Sequence, residues 1–305
     1  MPTEPHLDPT VRHDMVFLFD VADGNPNGDP DFDNRPRMDE ETGHGLVSDV
    51  ALKRKVRDTM PLAAHNDTSI TDPGRYGIFV EAGHALNTRL DESLTATGLS
   101  EKKKNKEKLT EDDRATARAW LTDRYADIRL FGAVLNTGST KELGQIYGPL
   151  QVSNARSIDP VMPQHHTITR VTQTKQDDVD KGETTEMGGK WTLPYGLYRA
   201  EIYYSANRGQ QTGVDSQDLD LLYRTLAMMF DHDRSSARGT MTARGLYVFS
   251  HNNAFGNAPA HTLLNRVQVT PSLEPGQPPR RFNDYTVSVS DESLPNGVSM
   301  EKLVA

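Results

Sequence analysis

The sequence contains no cysteine and no long apolar run. Without thiols the chain forms neither disulfides nor cysteine-ligated zinc or iron–sulfur centres, and it has no thiol nucleophile. No run approaches the ~20 apolar residues that cross a bilayer, and the opening segment MPTEPHLDPT lacks the charged and apolar parts of a signal peptide. These absences predict a soluble, cytoplasmic protein with no membrane partner.

Positive charge is also scarce. Lys and Arg number 34 against 43 Asp and Glu, so the 305 residues carry a net charge of -9. Because neutralising phosphates takes Lys and Arg, this balance argues against a simple nucleic-acid-coating protein. The cations are nevertheless clustered, at 35–37, 53–57, 102–108, 234–244 and 280–281. Either one face holds nucleic acid while another meets a neighbouring subunit, or each cluster belongs to a mixed solvated surface.

Motifs of several enzyme classes are missing or incomplete. The run Gly188-Gly189-Lys190 ends like a phosphate-binding loop but lacks its upstream glycine, and no G-x-S-x-G elbow is present. Residues 23–28 fit the first half of a calcium loop, but Asn34 stands where a bidentate Glu is needed. We therefore predict no catalytic residue, no metal site and no cofactor, with His165 and His166 as a minor alternative for a metal.

The most informative stretch is residues 20–58. Its first part is a loop that cannot be regular, because glycines and prolines interrupt it throughout. Ser48 then caps a predicted helix whose apolar positions face a core and whose Lys53, Arg54 and Arg57 remain outside. A polar loop beside a cationic helix suits a phosphodiester backbone. The alternatives are that Asn25 and Asn27 serve turn geometry and that the helix has a solvated outer face.

The pattern of elements predicts an α+β fold. Runs of β-branched and aromatic residues indicate strands near 15–21, 128–135, 196–204, 245–250, 263–269 and 284–289. Capping residues and apolar spacing indicate helices at 48–59, 110–126 and 215–231. A further hairpin strand is predicted at Thr167–Thr174, followed by a polar tip and a return at Trp191–Pro194. These elements are compatible with a ferredoxin-like core that carries large insertions.

Several motifs in order carry a resemblance to a known family. They are GNPNGDPD, NRPR and DEETGHGLVSDVALKRKVR, then DIRLFGAVLNT (127–137), GQIYGPLQVSNARSIDPV (144–161), TITR (167–170), YGLY (195–198), MFDHDRSSARG (229–239) and GNAPAH (256–261). From about Asp14 to Val289 the chain resembles the repeated backbone subunit of the type I-C CRISPR Cascade, in the Csd-two branch of the Cas-seven family of the RAMP superfamily.

The resemblance implies an architecture. It implies a discontinuous ferredoxin-like, RNA-recognition-motif-like palm at 14–59, 128–159 and 195–290. A helical fingers insertion would occupy 60–127, a projecting thumb hairpin 160–194 and a C-terminal tail 291–305.

The resemblance also implies a function and partners. Copies of such a subunit polymerise along one CRISPR RNA and leave its bases free to pair with target DNA. Implied partners are further copies of the chain, a Cas-five family subunit, and a Cascade large subunit with or without a small one. The chain itself would not be an enzyme.

The implied RNA-binding residues fall on the loop, the cationic helix, the thumb and the segment after the last predicted helix. The arginines of that last segment either meet phosphates or pair with Asp231 and Asp233. The full set is Asn25, Asn27, Arg35, Arg37, Ser48, Lys53, Arg54, Arg57, Arg170, Met187, Arg234 and Arg238.

Two other functions remain open from the sequence. Type III relatives cut target RNA with a loop aspartate ahead of a D-x-x-T-G segment, and Asp33 precedes Asp39 to Gly43 in a similar layout. The second alternative is a protein–protein scaffold whose basic clusters pair only with its acidic ones.

Overall fold

The computed structural model describes residues 4–105, 107–136, 143–182, 184–274 and 276–304. All structural statements concern these residues. Outside them lie residues 1–3 of the opening segment, Lys106 of the charged run, Glu183 of the thumb and Ala305 of the tail. Residues 137–142 and Pro275 of the predicted palm also lie outside, and Thr137 is the last residue of the motif that begins at Asp127.

The strands and helices are as follows. The strands are β1 (His13–Gly24), β2 (Gly28–Asp29), β3 (Arg35–Pro36), β4 (His44–Val47), β5 (Gly132–Val134), β6 (Gln145–Tyr147), β7 (Leu150–Val152), β8 (Ala155–Pro160), β9 (Gln164–Arg170), β10 (Glu186–Tyr204), β11 (Thr240–His251), β12 (Val267–Pro271), β13 (Tyr285–Val289) and β14 (Val298–Val304). The helices are α1 (Asp49–His65), α2 (Leu86–Ala96), α3 (Ser100–Lys104), α4 (Glu111–Arg124), α5 (Ala126–Phe131), α6 (Gln176–Asp180), α7 (Ala206–Thr212), α8 (Ser216–His232) and α9 (Ala260–Leu264).

The central sheet has the predicted ferredoxin-like topology. Along the chain, β1, α1, β8, β10, α8 and β11 follow the order βαββαβ, and the strands pair antiparallel in the spatial order β11-β1-β10-β8. β14 extends one edge beside β11, and β4 extends the other beside β8. The α+β class and the ferredoxin-like core are therefore confirmed.

β1 is buried on both faces of this sheet. Its odd-numbered residues Met15, Phe17 and Phe19 pack towards α1 and α8, whereas Val16 and Leu18 pack towards α9 and β12. Because side chains alternate along a strand, a nearly continuous apolar run such as 15–19 is what a strand covered on both sides requires. β1 thus lies in the middle of three layers.

The two helices against the sheet have strong N-terminal caps. Ser48 caps α1 by accepting a hydrogen bond from Ala51 N, and Asp215 and Asp218 form a reciprocal capping box on α8. The apolar side of α8, including Leu219, Leu222 and Leu226, faces the sheet. No helix in the described part of the chain combines the length and apolar character needed to cross a membrane.

A second apolar cluster lies beside the sheet, built from α2, α4, α5 and the segments around them. A fully buried ion pair joins it to α8, with Arg129 Nη2 2.7 Å from Asp218 Oδ1 and both side chains 0% exposed. Arg129 also donates to the carbonyl oxygens of Thr122, Asp123 and Arg75. The guanidinium is thereby paired and hydrogen-bonded, as a buried charge must be.

Two predicted strands were wrong in part. At 128–135 the chain forms α5 and only then the short β5, because Arg129, which strand alternation would expose, is buried against Asp218. At 263–269 the first residues end α9, and the strand starts at Val267. The strands predicted at 15–21, 196–204, 245–250 and 284–289 and the three predicted helices are confirmed, with β1, β10, β11 and α1 longer than predicted. β8 was not predicted. α2 was not predicted, although Leu86, Leu90 and Leu94 have helical spacing.

Replacing Arg129 with alanine tests the tie between the helical cluster and α8. We expect Arg129→Ala to lower the free energy of unfolding by about 3–5 kcal/mol, because the buried Asp218 loses its hydrogen-bonded counter-ion and keeps only the longer 3.6 Å pair with Arg75. Urea unfolding measures the change. Arg54→Ala is the matched control, since its ion pair with Asp58 is exposed and worth only about 0.3–0.5 kcal/mol. Equal losses for the two variants would contradict the assignment.

Histidine 13 makes stability depend on pH. Burial lowers the pKa of His13 from 6.5 to about 4, and its ring nitrogens lie 3.0 Å from Ser250 Oγ and 2.8 Å from Asp8 O. Since the folded state binds the proton more weakly than the unfolded state, stability is present above pH 6.5 and is lost as pH falls towards 4. We expect His13→Gln to remove up to roughly 3 kcal/mol of this dependence, measured by urea unfolding across that window. An unchanged slope would contradict it.

Candidate nucleic-acid interface

A groove of about 490 Å³ opens where four segments meet at the Gly24 end of β1. The segments are the loop after β1, the first turns of α1, the base of the β9–β10 hairpin and the loop after α8. Its lining includes Asn25, Asn27, Asp33, Asn34, Arg54, Lys55, Asp58, Lys190, Trp191, Asp233, Ser235 and Arg238.

Backbone contacts hold the loop after β1 against the loop after α8. Asn25 N donates to Ala237 O at 2.8 Å, and a Cβ at Gly24 would overlap the carbonyl oxygen of Arg238. Asn25 Nδ2 donates to Asn34 O at 2.6 Å, which closes the loop on itself. Asp33 and Asn34 have φ values of 51° and 56°, a left-handed conformation that Asp and Asn tolerate better than most residues. These contacts therefore fix the conformation of the loop after β1, which forms one wall of the groove.

Asn27 joins this loop to α1. Its Oδ1 accepts hydrogen bonds from Ser48 N and Ser48 Oγ, both at 2.9 Å. Ser48 Oγ in turn accepts from Ala51 N at 3.2 Å. The two predicted contact residues, Asn27 and Ser48, thus fix the position of the helix relative to the loop.

α1 presents its cations on different faces. Arg54 and Lys55 line the groove, and the Arg54 side chain is 67% exposed. Lys53 and Arg57, one helical turn apart, lie against the ring of Phe131 at 5.6 and 5.3 Å. The sequence had grouped Lys53, Arg54 and Arg57 on one outer face, but the structure separates Arg54 from the other two.

Arg57 belongs to a buried network. Its Nε lies 3.0 Å from Asp127 Oδ2, and the Arg57 side chain is 16% exposed. Asp127 also accepts from Phe79 N at 2.7 Å and Val80 N at 3.0 Å. Lys53 pairs with Asp49 at 3.0 Å. In this structure Arg57 therefore ties α1 to the second apolar cluster.

A shared carboxylate forms the floor of the groove. Asp233 pairs with both Lys55 and Arg238, the latter at 3.0 Å. Burial lowers the pKa of Lys55, and the neighbouring Asp233 acts in the opposite direction. Arg234 pairs with Asp231 and is 67% exposed. The arginines of this segment therefore pair with aspartates here, which was one of the two uses predicted for them.

Arg35 and Arg37 line a smaller neighbouring hollow of about 290 Å³. Arg37 pairs with Asp29 at 3.1 Å. The guanidinium of Arg35 lies 6.0 Å from the ring centre of Trp191, which connects the hollow to the main groove.

The β9–β10 hairpin carries the remaining predicted residues. Met187 is 76% exposed, and Arg170 pairs across the hairpin with Glu186. The strand predicted at 167–174 lies earlier, at Gln164–Arg170, and its partner begins at Glu186 instead of Trp191. The tip between them contains α6. Cross-strand pairing from Glu186 to Thr192 accounts for the earlier return.

The two histidines of the hairpin have structural contacts. The ring of His165 lies 4.8 Å from the ring of Trp191, and His166 Nε2 lies 3.1 Å from Thr192 Oγ1. Across the described ranges, no group of three or more His or acidic side chains is arranged to hold a metal. Asp33 is exposed and lines the groove.

The lining residues absent from the predicted set include Asn34, Lys55, Lys190 and Trp191. Lys190 Nζ lies 3.3 Å from Ser236 Oγ and makes no ion pair within the described residues. The sequence analysis noted Lys190 only as the end of an incomplete phosphate-binding loop, Gly188-Gly189-Lys190. A lysine next to an aromatic residue at the base of a hairpin was the signal that could have identified it.

A family profile and a relative of known family carry the same description. A family profile described as "CRISPR-associated protein Cas7" matches residues 11–290. A Haloferax volcanii protein named "CRISPR-associated protein Cas7" is 27% identical over 234 residues, which are 69% of this chain and 62% of that protein. The chain therefore spans less than two thirds of that relative's length.

Solved structures were also compared. A chain of a "CRISPR RNA-guided surveillance complex, pre-nicking" is 15% identical with a TM-score of 0.47, and 78% of each chain is covered. A chain of a "CRISPR RNA-guided surveillance complex" is 13% identical with a TM-score of 0.42, covering 78% of this chain and 68% of the other. Because the family profile spans most of the sequence, this chain belongs to the CRISPR-associated Cas7 family.

Proposed function

We propose that this chain is a noncatalytic subunit that binds CRISPR RNA, oligomerises along the guide spacer and presents it to target DNA in type I-C interference. The observation that carries the proposal is the groove at the Gly24 end of β1. Arg54, Lys190 and Arg238 line it together with the indole of Trp191. Cations and an aromatic face bind any single strand, since every nucleotide has a phosphate and a π-face.

Sequence-independent binding is what a guide-holding subunit needs. Every spacer differs, so contacts to base edges would favour some guides over others. In RNA-guided recognition the base pairs supply specificity, while the protein supplies shape and charge. The groove offers this chemistry, because its cations can exchange a carboxylate partner for a phosphate. Lys190 has only a hydroxyl partner within the described residues, so it would bind phosphate at the least cost.

The predicted RNA-binding residues act in two ways under this proposal. Arg54 and Arg238 face the strand in the groove, with Arg35 and Arg37 beside it. Asn25, Asn27 and Ser48 hold the loop in the shape that receives it, and Lys53 and Arg57 hold α1 in place. Arg170, Met187 and Arg234 meet the strand where it leaves the groove along the hairpin and the α8 loop.

The palm, fingers, thumb and tail division at the boundaries given above is part of the same proposal. The partners are CRISPR RNA, target DNA, further copies of this chain, a Cas-five family subunit and a large subunit with or without a small one.

Salt dependence tests the groove. For single strands, log K falls with log salt by about 0.7 per phosphate contact. We therefore expect Arg54→Ala combined with Lys190→Ala to reduce the magnitude of this slope by about 1.4. Fluorescence anisotropy with labelled oligo(U) and purified, nucleic-acid-free chain measures it.

A matched pair of variants controls for net charge. Lys104→Ala combined with Arg281→Ala removes the same charge from exposed side chains outside the groove lining. It should leave the slope unchanged. If Lys53→Gln changes the slope while the groove pair does not, the strand lies on the Phe131 face of α1. Equal slopes for all variants would favour a protein–protein scaffold.

One observation keeps a metal-dependent ribonuclease of the type III kind as the second candidate. Asp33 is exposed in the same groove that would hold RNA. Under the noncatalytic proposal, wild-type protein with Mg²⁺ or Mn²⁺ leaves bound target RNA intact, and Asp33→Ala behaves identically on a denaturing gel. Metal-dependent cleavage that Asp33→Ala abolishes would replace the noncatalytic proposal by the ribonuclease.

A further inference from the structure

A row of aromatic and arginine side chains lies at the end of the central sheet opposite the groove. The groove is at the Gly24 end of β1, whereas this row surrounds the His13 end, where Arg12 precedes the strand and Tyr204 lies opposite His13. β1 has 12 residues, so at about 3.3 Å per residue the two places are roughly 35–40 Å apart.

Two adjoining hollows form this surface. One, of about 560 Å³, lies between α4, β6 and the end of α7 and includes Tyr147. The other, of about 340 Å³, includes Arg12, Arg208 and Phe255. The guanidinium of Arg208 lies 5.6 Å from the ring centre of Tyr147, which joins the hollows. We call Tyr147, Arg208, Arg12 and Phe255 the aromatic strip.

Both aromatic rings of the strip face solvent. Tyr147 is 61% exposed and Phe255 is 89% exposed. Tyr147 is the last residue of β6 and pairs with Gly132 in the short β5–β6 ladder. The next residue, Gly148, lies so close to the end of α5 that a Cβ there would overlap backbone atoms. Asn253 Oδ1 accepts from Phe255 N at 3.0 Å and from Gly256 N at 2.8 Å. The backbone therefore presents each ring in a fixed position.

Arg208 is the cation of the strip that stands out. The other arginines that line the two hollows are paired with carboxylates: Arg12 with Asp14, Arg75 with Asp215, Arg118 with Glu111 and Arg129 with Asp218. Arg208 is exposed and has no carboxylate partner among the residues that the structure describes.

We propose that the aromatic strip is a second site for single-stranded nucleic acid, independent of the groove. Bases would stack on Tyr147 and Phe255, while Arg208 and Arg12 meet phosphates between them. Stacking platforms interleaved with arginine are the usual means of holding a single strand without sequence preference. The exposed amides of Gln145, Gln210 and Gln211 add hydrogen-bonding groups that suit base edges.

A single strand could reach this surface from two sources, the RNA flanking a bound segment or a DNA strand displaced by pairing. Both carry phosphates and stackable bases, and they differ in the sugar and in the 5-methyl group that thymine has and uracil lacks. Two labelled probes of about ten nucleotides, oligo(U) and oligo(dT), distinguish the sources and match the length of such sites.

The test uses purified, nucleic-acid-free chain carrying Arg54→Ala and Lys190→Ala, so that the groove does not mask the strip. In this background we expect Tyr147→Leu to weaken probe binding by fivefold or more, whereas Tyr147→Phe, which keeps the ring, leaves it unchanged. Arg208→Gln should reduce the salt slope by about 0.7, and the exposed Arg281→Gln should not.

Loss of oligo(dT) binding alone in Tyr147→Leu would assign the site to DNA, and equal loss for both probes would assign it to the shared backbone and bases. The proposal is overturned if the background chain binds neither probe. It is also overturned if Tyr147→Leu and Arg208→Gln bind both probes as tightly as the parent chain does. If these variants bind the probes normally but no longer copurify with another subunit on coexpression, the strip is a protein-binding surface and the proposal is likewise overturned.

Discussion

The burial of β1 on both faces is the constraint on which the remaining structure depends. With helices on one side and the α9–β12 region on the other, a one-residue shift of register would move every side chain of the strand to the opposite face. Phe17 and Phe19 would then lose their packing against Phe230 of α8. The positions of the two ends of β1 relative to the rest of the sheet are therefore fixed. The loop that leaves the Gly24 end is held against the loop after α8 at the candidate groove, and Arg12 enters the His13 end beside the aromatic strip.

Electrostatics in the groove depend on local pairing more than on the total charge. Asp233, which is 15% exposed, pairs with both Lys55 and Arg238 and holds them in place, whereas the pair of Arg54 with Asp58 is exposed and weak. A phosphate that replaces an exposed carboxylate costs little, since such surface pairs are weak. The buried pair of Arg129 with Asp218 behaves differently, because neither partner can turn to solvent. Ion pairs between arginine and aspartate are therefore exchangeable where they are exposed at the groove and rigid where they are buried between α5 and α8.

Sequence patterns predicted β1, α1, β10, α8 and β11, whose periods and caps are clear, but they did not predict β8. They gave only the α+β class, and the ferredoxin-like arrangement was implied by the family resemblance. They failed where tertiary contacts override the local pattern, as at α5, where a buried arginine sits between Ile128 and Leu130. The loop and α1 were identified as one site, but helical geometry alone did not show that Phe131 and Asp127 would occupy the Lys53 and Arg57 face. Trp191 and Lys190 lie far away in sequence, so only the fold could bring them to the groove.

The most direct measurement is to coexpress the chain with a CRISPR array and its processing subunit, purify it at elevated salt and sequence the retained nucleic acid. The account predicts discrete spacer-containing guides in a particle with several copies of the chain, held without preference for spacer sequence. A nucleic-acid-free monomer under these conditions would contradict it.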